Sequence, residues 1–433
     1  MRKVTLLASF FSLLSGVCNA GAADVVLAPF YTALSSISLD QPLGTVVAKE
    51  AVATSVPGAE AWRIAYVSSD LRDRKTLSTG LVIVPKGAPP AEGRPIVAWA
   101  HGTTGTAQNC GPSQVNDPAQ ELNEYFLVGG TSWTDFGVPG VTHFIEKGYA
   151  VVATDYQGLG GGGVKHQYAI GNSNARDAIN SVRAIGSMGL AGEGKKAMIY
   201  GWSQGGGATL AAASLKDYID GAGTAYDGVN FVGFVALAPD EINALMPPGA
   251  SSDAVAPVVL QKLAAEFSDN VFNFAHFSMS MWAMAGTFPE LKLTDIFTEE
   301  GAAALDEIYS KKCMHAGSDT IDFNYGATFK SLMKSQPENA VAWVKALIEG
   351  SVKAVAPVAP VIVFFGTKDT VMSPVMGAIY QKQMCGMGAN VTRVQLPGEQ
   401  NHFTTPPVAQ PLFLPWIDDR FAGKPLDNGC PAN

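Results

Sequence analysis

The chain has 433 residues, of which 47% are hydrophobic and only 15% are charged, with a formal net charge of −9. Charged residues are scarce against the roughly 25% usual in globular proteins, which argues against a disordered chain and favours a large buried core. Nucleic-acid binding is excluded because no block of clustered lysine and arginine is present to neutralise phosphates.

The first twenty residues have the pattern of a secretory signal peptide. Arg2 and Lys3 form a basic start, residues 4–14 are largely apolar, and small residues lead to cleavage after Ala20 or, alternatively, Ala22. The apolar stretch is too short to span a bilayer. The sequence therefore predicts a secreted protein, either periplasmic or extracellular.

Several short apolar runs are typical of strands in a sheet that is covered on both faces. They are Thr76–Val84, Ile96–Ala100, Ala150–Ala153, Ala197–Tyr200, Phe231–Leu237 and Val361–Phe365. The first run is more mixed, and we expect it nearer a sheet edge. Helical segments such as Asn174–Ile185 and Ala208–Tyr218 alternate with the strands. This alternation predicts an α/β fold with a mostly parallel sheet.

The alternation stops after Pro239 and resumes at Val361. The intervening stretch EFSDNVFNFAHFSMSMWAMAGTF is rich in aromatic residues and methionine and lacks a strand pattern. We interpret residues 241–356 as a mainly helical cap, inserted into a core formed by residues 21–240 and 357–433. The aromatic and methionine side chains would form either an apolar binding surface or the core of the cap itself.

A candidate nucleophile lies in the segment Gly201-Trp202-Ser203-Gln204-Gly205, which matches G-x-S-x-G. The motif follows a predicted strand and precedes a helix of small residues, which is the setting of a nucleophile elbow. Glycines two residues on either side of the serine allow a sharp turn and close chain approach. The alternative is a glycine-rich loop with an incidental serine.

A nucleophilic serine needs a base, and the base needs an orienting acid. In the elbow architecture the chain order is serine, acid, histidine. Only His402, of the six histidines, follows the last of these predicted strands, and Asp369 lies in a turn just after that strand. The interval between them has room for a helix, Pro374–Gly386, and a strand, Val391–Leu396. The alternative interpretation is that His402 is a histidine of a surface loop and that Asp369 is an aspartate that only favours the turn.

Ester hydrolysis also requires hydrogen-bond donors for the tetrahedral oxyanion. The backbone N–H of Gln204, directly after the serine, is expected to be one donor. The loop after the strand in IVAWAHGTTG would provide the second, from Thr103 or, in reserve, Thr104. Residues 154–163, TDYQGLGGGG, would leave room for substrate or form a structural turn. Neither a metal-ligand constellation nor a phosphate-binding loop is present in the sequence, so no cofactor is predicted.

Four of the five cysteines remain after signal cleavage: Cys110, Cys313, Cys385 and Cys430. An even number in an exported chain predicts two disulfides, with three possible connectivities. Local closure favours Cys385–Cys430, which leaves Cys110–Cys313 as a long-range link. The alternative is four free buried thiols.

Motifs along the chain together resemble the secretory lipase family of α/β-hydrolases. They are AHGTTG, CGPS, ATDYQGLG, GWSQGG, FFGTKDTV, NHF and the ending WIDDRFAGKPLDNGC. The resemblance runs from about Phe30 to Cys430. It implies an α/β-hydrolase fold with an inserted helical cap or lid, and an exported serine esterase or lipase. It also implies the triad Ser203, Asp369 and His402, in agreement with the spacing.

The sequence therefore predicts a serine hydrolase that cleaves triacylglycerol or other acyl esters through an acyl-enzyme. We expect a monomer whose partner is an ester or lipid substrate, and transient contact with a lipid interface is compatible with this function. One alternative is a short-chain or aryl carboxylesterase without interfacial activity, and a peptidase is a weaker option. A third is a non-catalytic protein that binds apolar ligands.

Overall fold

The computed structural model describes residues 25–241 and 246–431, so the predicted signal peptide lies outside the described residues. One sheet of nine strands forms its centre. The strands are β1 (Val46–Val52), β2 (Ala59–Ser69), β3 (Lys75–Pro85), β4 (Ile96–Ala100), β5 (Ala150–Gln157), β6 (Lys196–Trp202), β7 (Asn230–Leu237), β8 (Val361–Phe365) and β9 (Val391–Gln395).

The sheet has the order β1-β2-β3-β5-β4-β6-β7-β8-β9. Strands β4 to β9 are parallel to one another, whereas β1, β2 and β3 pair in antiparallel fashion at one side. The prediction of a mostly parallel α/β sheet is therefore confirmed. The first apolar run, β3, lies third from one edge of the sheet and so nearer an edge than β4, β5 and β6.

Helices flank the sheet and fill the long connection after β7. They are α1 (Pro29–Thr32), α2 (Val141–Glu146), α3 (Gly171–Ser187), α4 (Gln204–Ala213), α5 (Lys216–Ile219), α6 (Ala256–Glu266), α7 (Val271–Thr287), α8 (Glu299–Lys311), α9 (Met314–Tyr325), α10 (Ala340–Gly350), α11 (Pro374–Gly386) and α12 (Thr405–Phe421). Short 3-10 turns add Ala33–Ser36, Pro112–Gln114, Leu293–Asp295 and Gly326–Leu332. Among the described residues, every helix is too short or too polar to cross a bilayer.

Side chains of the central strands point alternately to two buried layers. On β4, Ile96, Ala98 and Ala100 pack on the face that carries α3, α4 and α11, while Val97 and Trp99 pack toward α2 and α12. A strand covered on both faces cannot tolerate polar positions on either, which explains its continuous apolar sequence. The sheet is therefore a rigid base on which the loops after its strands are held.

Helices α6 to α10 lie between β7 and β8 and share an apolar cluster of their own. Their largest buried side chains include Phe274 and Trp343. The segment that lacked a strand pattern is thus helical. The division of the chain into a core and a separate cap domain stays a prediction.

Two disulfides link the chain, Cys110–Cys313 and Cys385–Cys430, which is the pairing favoured by local closure. The first joins the loop after β4 to the start of α9. That junction also contains hydrogen bonds from Met314 N to Thr104 O, at 3.0 Å, and from Thr106 Oγ1 to Tyr309 O, at 2.7 Å. The inserted helices are therefore tied covalently to a loop of the core.

We expect removal of the Cys110–Cys313 disulfide to destabilise the protein more than removal of the other. The links close 203 and 45 residues of chain, and loop-closure entropy favours the folded state by about 5 and about 4 kcal/mol, respectively. Thermal unfolding of the two double serine variants measures the order. A larger loss of midpoint temperature in the Cys385/Cys430 variant would contradict it.

Candidate active site

Ser203 lies on a sharp turn between β6 and α4. Its backbone angles, φ 57° and ψ −119°, are those of a strained left-handed turn that residues with side chains rarely adopt. Glycine is required on both sides of it. A Cβ atom on Gly201 would lie 2.3 Å from Gly205 O, and one on Gly205 would lie 1.9 Å from Ala100 O. The absence of side chains at Gly201 and Gly205 therefore allows the chain to pass this close to β4.

Asp369 and His402 come from the loops after β8 and β9 and form a buried pair. His402 Nδ1 donates to Asp369 Oδ2 at 2.8 Å. The other carboxylate oxygen, Oδ1, accepts from the backbone N–H groups of Val371 and Met372 at 2.9 and 2.8 Å. The turn therefore holds the carboxylate by one oxygen and leaves the other for the histidine, which fixes the orientation of the ring.

The loop that carries His402 lies against the Ser203 turn. Trp202, which precedes Ser203, donates its indole N–H to His402 O at 3.1 Å, and the two rings are 5.1 Å apart. The parallel strands β6, β8 and β9 bring their carboxyl ends to one edge of the sheet, where such sites form. Residues separated by 200 positions are thereby placed side by side.

The two loops predicted to supply oxyanion donors lie at this same edge. Gln204 is the first residue of α4, whose first N–H groups have no partner within the helix. Thr103 follows the end of β4, and its Oγ1 forms a 2.8 Å hydrogen bond with the hydroxyl of Tyr168. The carbonyl of the reserve candidate, Thr104, accepts from Met314 N. The choice of Thr103 as the second donor stays a prediction.

Asp240, three residues after the end of β7, is an acidic neighbour that the sequence analysis missed. Its backbone N–H donates to Ser203 O at 3.0 Å. Desolvation raises the pKa of its carboxyl to about 6, an effect that the nearby His402 opposes. Its signal in the sequence was its position at the end of a predicted core strand.

An apolar cavity lies between α7 and the loops of the core. It is lined by Tyr168, Ala169, Asp240, Leu263, Phe267, His276, Phe277, Ser280, Met281, Leu347 and Met372. Most other aromatic and methionine side chains of α7, such as Phe274, Met279 and Trp282, are buried in the helical insertion. Phe277 and Met281 thus line the cavity while the other side chains pack in a core, and the apolar binding surface stays a prediction.

The irregular loop of residues 121–136 lies close to His402. The ring of Phe126 lies 4.6 Å from that of Phe403, the neighbour of His402. Within the loop, Glu124 is only 1% exposed, and neither of its carboxyl oxygens has a hydrogen-bond partner among the described residues. Burial, together with the charge of Asp135, raises the pKa of Glu124 to about 9.

Because its folded-state pKa lies above the ordinary 4.5, Glu124 binds its proton more tightly in the folded chain. Its contribution to the free energy of unfolding therefore decreases as pH rises from about 4.5 to about 9. We expect Glu124→Gln to reduce the fall in thermal midpoint between pH 5.5 and pH 8.5, as measured by calorimetry. Glu92→Gln, at an exposed position, is the matched control, and identical pH slopes in the two variants would contradict this prediction.

Comparison with known proteins identifies the family. The model of the family described as "Secretory lipase" matches residues 129–219 and 268–429, more than half of the chain. The chain belongs to the secretory lipase family. Lipase 9 of Candida albicans is 24% identical over 425 residues, which cover 93% of this chain and 84% of that protein. The protein is thus an ester-hydrolysing enzyme of a secreted class.

Solved structures show the same fold at low sequence identity. Candida antarctica lipase A in its closed state superposes with a TM-score of 0.66 and 17% identity, covering 94% of this chain and 89% of that one. The rice cell wall degrading esterase LipA from Xanthomonas oryzae, in a ligand-bound form, gives 0.63 and 16%, covering 88% and 100%. The α/β-hydrolase fold expected from the sequence is confirmed.

Proposed function

We propose that the secretory lipase hydrolyses carboxylic esters by two-step acyl transfer, with Ser203 as nucleophile, His402 as base and Asp369 as orienting acid. The observation that carries this proposal is the buried 2.8 Å hydrogen bond between His402 Nδ1 and Asp369 Oδ2 in a loop packed on the strained Ser203 turn. An ionised carboxylate only accepts hydrogen bonds, so the imidazole proton resides on Nδ1. The lone pair of Nε2 is then free to take a proton.

In the first step, Ser203 Oγ attacks the ester carbonyl carbon while its proton passes to His402 Nε2. The carbonyl oxygen becomes an oxyanion, which the N–H groups of Gln204 and Thr103 would bind at the positive end of α4. The C–O bond to the alcohol then breaks, and the alcohol oxygen takes the proton from Nε2. The acyl group remains as an ester of Ser203.

In the second step, water attacks the acyl-enzyme and gives its proton to His402 Nε2. The second oxyanion collapses, the bond to Ser203 Oγ breaks, and the proton returns to the serine. The products are a carboxylic acid and the free enzyme. Asp369 stabilises the imidazolium in both steps without itself taking the proton.

The cavity beside the site supports an acyl ester with an apolar chain as substrate. Phe267, Phe277 and Met281 line it, and flexible or aromatic side chains of this kind accommodate alkyl groups. The relatives include proteins named as lipases and a protein named as an esterase. A short-chain or aryl carboxylesterase is therefore the second candidate.

Two measurements test the proposal. A fluorophosphonate probe should label Ser203 alone, as located by peptide mass spectrometry, and absence of labelling in active protein would contradict the assigned nucleophile. Rates on nitrophenyl esters from acetate to palmitate, in solution and as emulsions, then separate the two candidates. A lipase should retain long-chain activity and increase its rate on emulsions, whereas a carboxylesterase should lose activity beyond short chains.

A further inference from the structure

The segment of residues 154–168, TDYQGLGGGGVKHQY, has no role in the steps above, yet its side chains converge on the site. Tyr156, His166 and Tyr168 are 0%, 0% and 3% exposed. Each touches one of the two loops that would bind the oxyanion. We infer that these three residues are positioning residues, which hold the loops of Thr103 and Gln204 at the separation that the oxyanion requires. This inference rests on the proposed function.

Tyr156 holds the first loop. Its hydroxyl donates to His101 O at 2.9 Å, and its ring lies 4.6 Å from the His101 ring. That carbonyl is two residues before Thr103, at the point where the chain leaves β4. Tyr168 adds a second contact, the 2.8 Å hydrogen bond to Thr103 Oγ1. The loop is therefore held at its base and at the predicted donor itself.

His166 holds the second loop. Its Nδ1 lies 2.8 Å from Gln157 O. A carbonyl only accepts, so Nδ1 carries the proton and Nε2 accepts from the side-chain amide of Gln204, at 3.1 Å. The same amide donates to Asn174 Oδ1 at 3.2 Å. Burial lowers the pKa of His166 to about 3, so the ring stays neutral and this pattern persists at every working pH.

Tyr156 and His166, which hold the two loops, also contact each other. The rings of Tyr156 and His166 stack at 5.9 Å with an interplanar angle of 20°. The chain doubles back to allow this at Gly158, where φ is +82° and a Cβ atom would lie 2.5 Å from His166 N. One compact unit thus contacts both donor loops and sets the distance between them.

Backbone strain at Tyr156 is a further observation, independent of the hydrogen bonds, that supports its positioning role. Its φ is 66°, in the left-handed region that bulky residues avoid. Such a conformation costs about 1–3 kcal/mol and persists chiefly where a site requires it. A turn that served folding alone would be more stable with glycine at this position, but glycine would provide neither the hydroxyl nor the ring.

Tyr156→Phe tests the inference, with Tyr200→Phe as matched control. Tyr200 is also fully buried and also donates to a backbone carbonyl at 2.9 Å, that of Pro139, but it touches neither donor loop. An oxyanion contact exists only in the transition state, so loss of positioning lowers kcat and leaves KM unchanged. We expect kcat for ester hydrolysis to fall about tenfold to a hundredfold in Tyr156→Phe. KM should stay within about threefold, and the control should keep its kcat within about twofold.

A trifluoromethyl ketone, which forms a tetrahedral adduct with the serine, supplies a second readout. Its affinity for Tyr156→Phe should fall by the same factor as kcat/KM.

Variants at His166 test the second contact. His166→Leu should reproduce the loss of kcat, while His166→Gln, which keeps one donor and one acceptor, should restore most of kcat. Equal kcat losses in Tyr156→Phe and Tyr200→Phe, or a change confined to KM, would overturn the inference. Wild-type protein that hydrolyses no ester would overturn the proposed function as well, so the two failures are distinguishable.

Discussion

Ser203→Ala is expected to lower kcat for ester hydrolysis by at least about 10⁴-fold, because no other group can form the acyl-enzyme. Alanine keeps the backbone and the Cβ atom, so the turn between β6 and α4 and the hydrogen bond from Ser203 N to Leu237 O should remain. The thermal midpoint should change little. Rates on a soluble nitrophenyl ester, with active-site titration of the wild type, measure the effect.

The control for this variant lies at the other end of the same helix. Ser214 is also buried, and its hydroxyl donates to Ala211 O at 2.7 Å. Ser214→Ala should retain wild-type kcat within about threefold, because its hydroxyl is remote from the reacting atoms. Comparable activity in Ser203→Ala and wild type, in a preparation free of other esterases, would refute the nucleophile.

Asp369→Asn is expected to lower kcat about 10⁴-fold while the protein stays folded, the size of effect known for the same change in serine proteases. The asparagine Oδ1 can still accept from Val371 N and Met372 N. Its Nδ2 would then face His402 Nδ1 as a donor, so the imidazole proton would move to Nε2. A protonated Nε2 cannot accept the proton of Ser203.

A second aspartate–histidine pair in the chain provides the control. Asp418 Oδ2 lies 3.0 Å from His143 Nε2, and the two residues are on helices α12 and α2 rather than in the loops of Asp369 and His402. Asp418→Asn should alter stability slightly and leave kcat unchanged within about twofold. A loss of less than tenfold in Asp369→Asn would show that His402 does not depend on this carboxylate for its tautomer.

The apolar strands could be predicted closely because burial on both faces leaves a local mark. The predicted Ile96–Ala100 and Val361–Phe365 are the observed β4 and β8. Strand β1 was missed because it lies at the edge of the sheet, where Lys49 and Glu50 face solvent. Together with β2, it places β3 third from this edge of the sheet.

Helix α4 shows the opposite case, in which tertiary packing overrides local preference. The prediction began at Ala208, since glycine is a poor helix former, whereas the helix begins at Gln204. A Cβ on Gly206 would lie 2.8 Å from Pro239 Cα, and one on Gly207 would lie 2.1 Å from Asp240 O. These glycines are present because the helix passes against another loop, which the local sequence does not reveal.

The sequence by itself determined the order of serine, aspartate and histidine and the number of cysteines. It also determined the elbow around Ser203, because the glycines of that motif are a local pattern with a local physical cause. Only the tertiary structure decided that Tyr156, His166 and Asp240 adjoin the same site. Their contacts join segments far apart in the chain, and the order of strands in the sheet sets which loops meet. The sharp turn at Ser203 can thus be predicted from five residues, whereas the side chains around it depend on the whole fold.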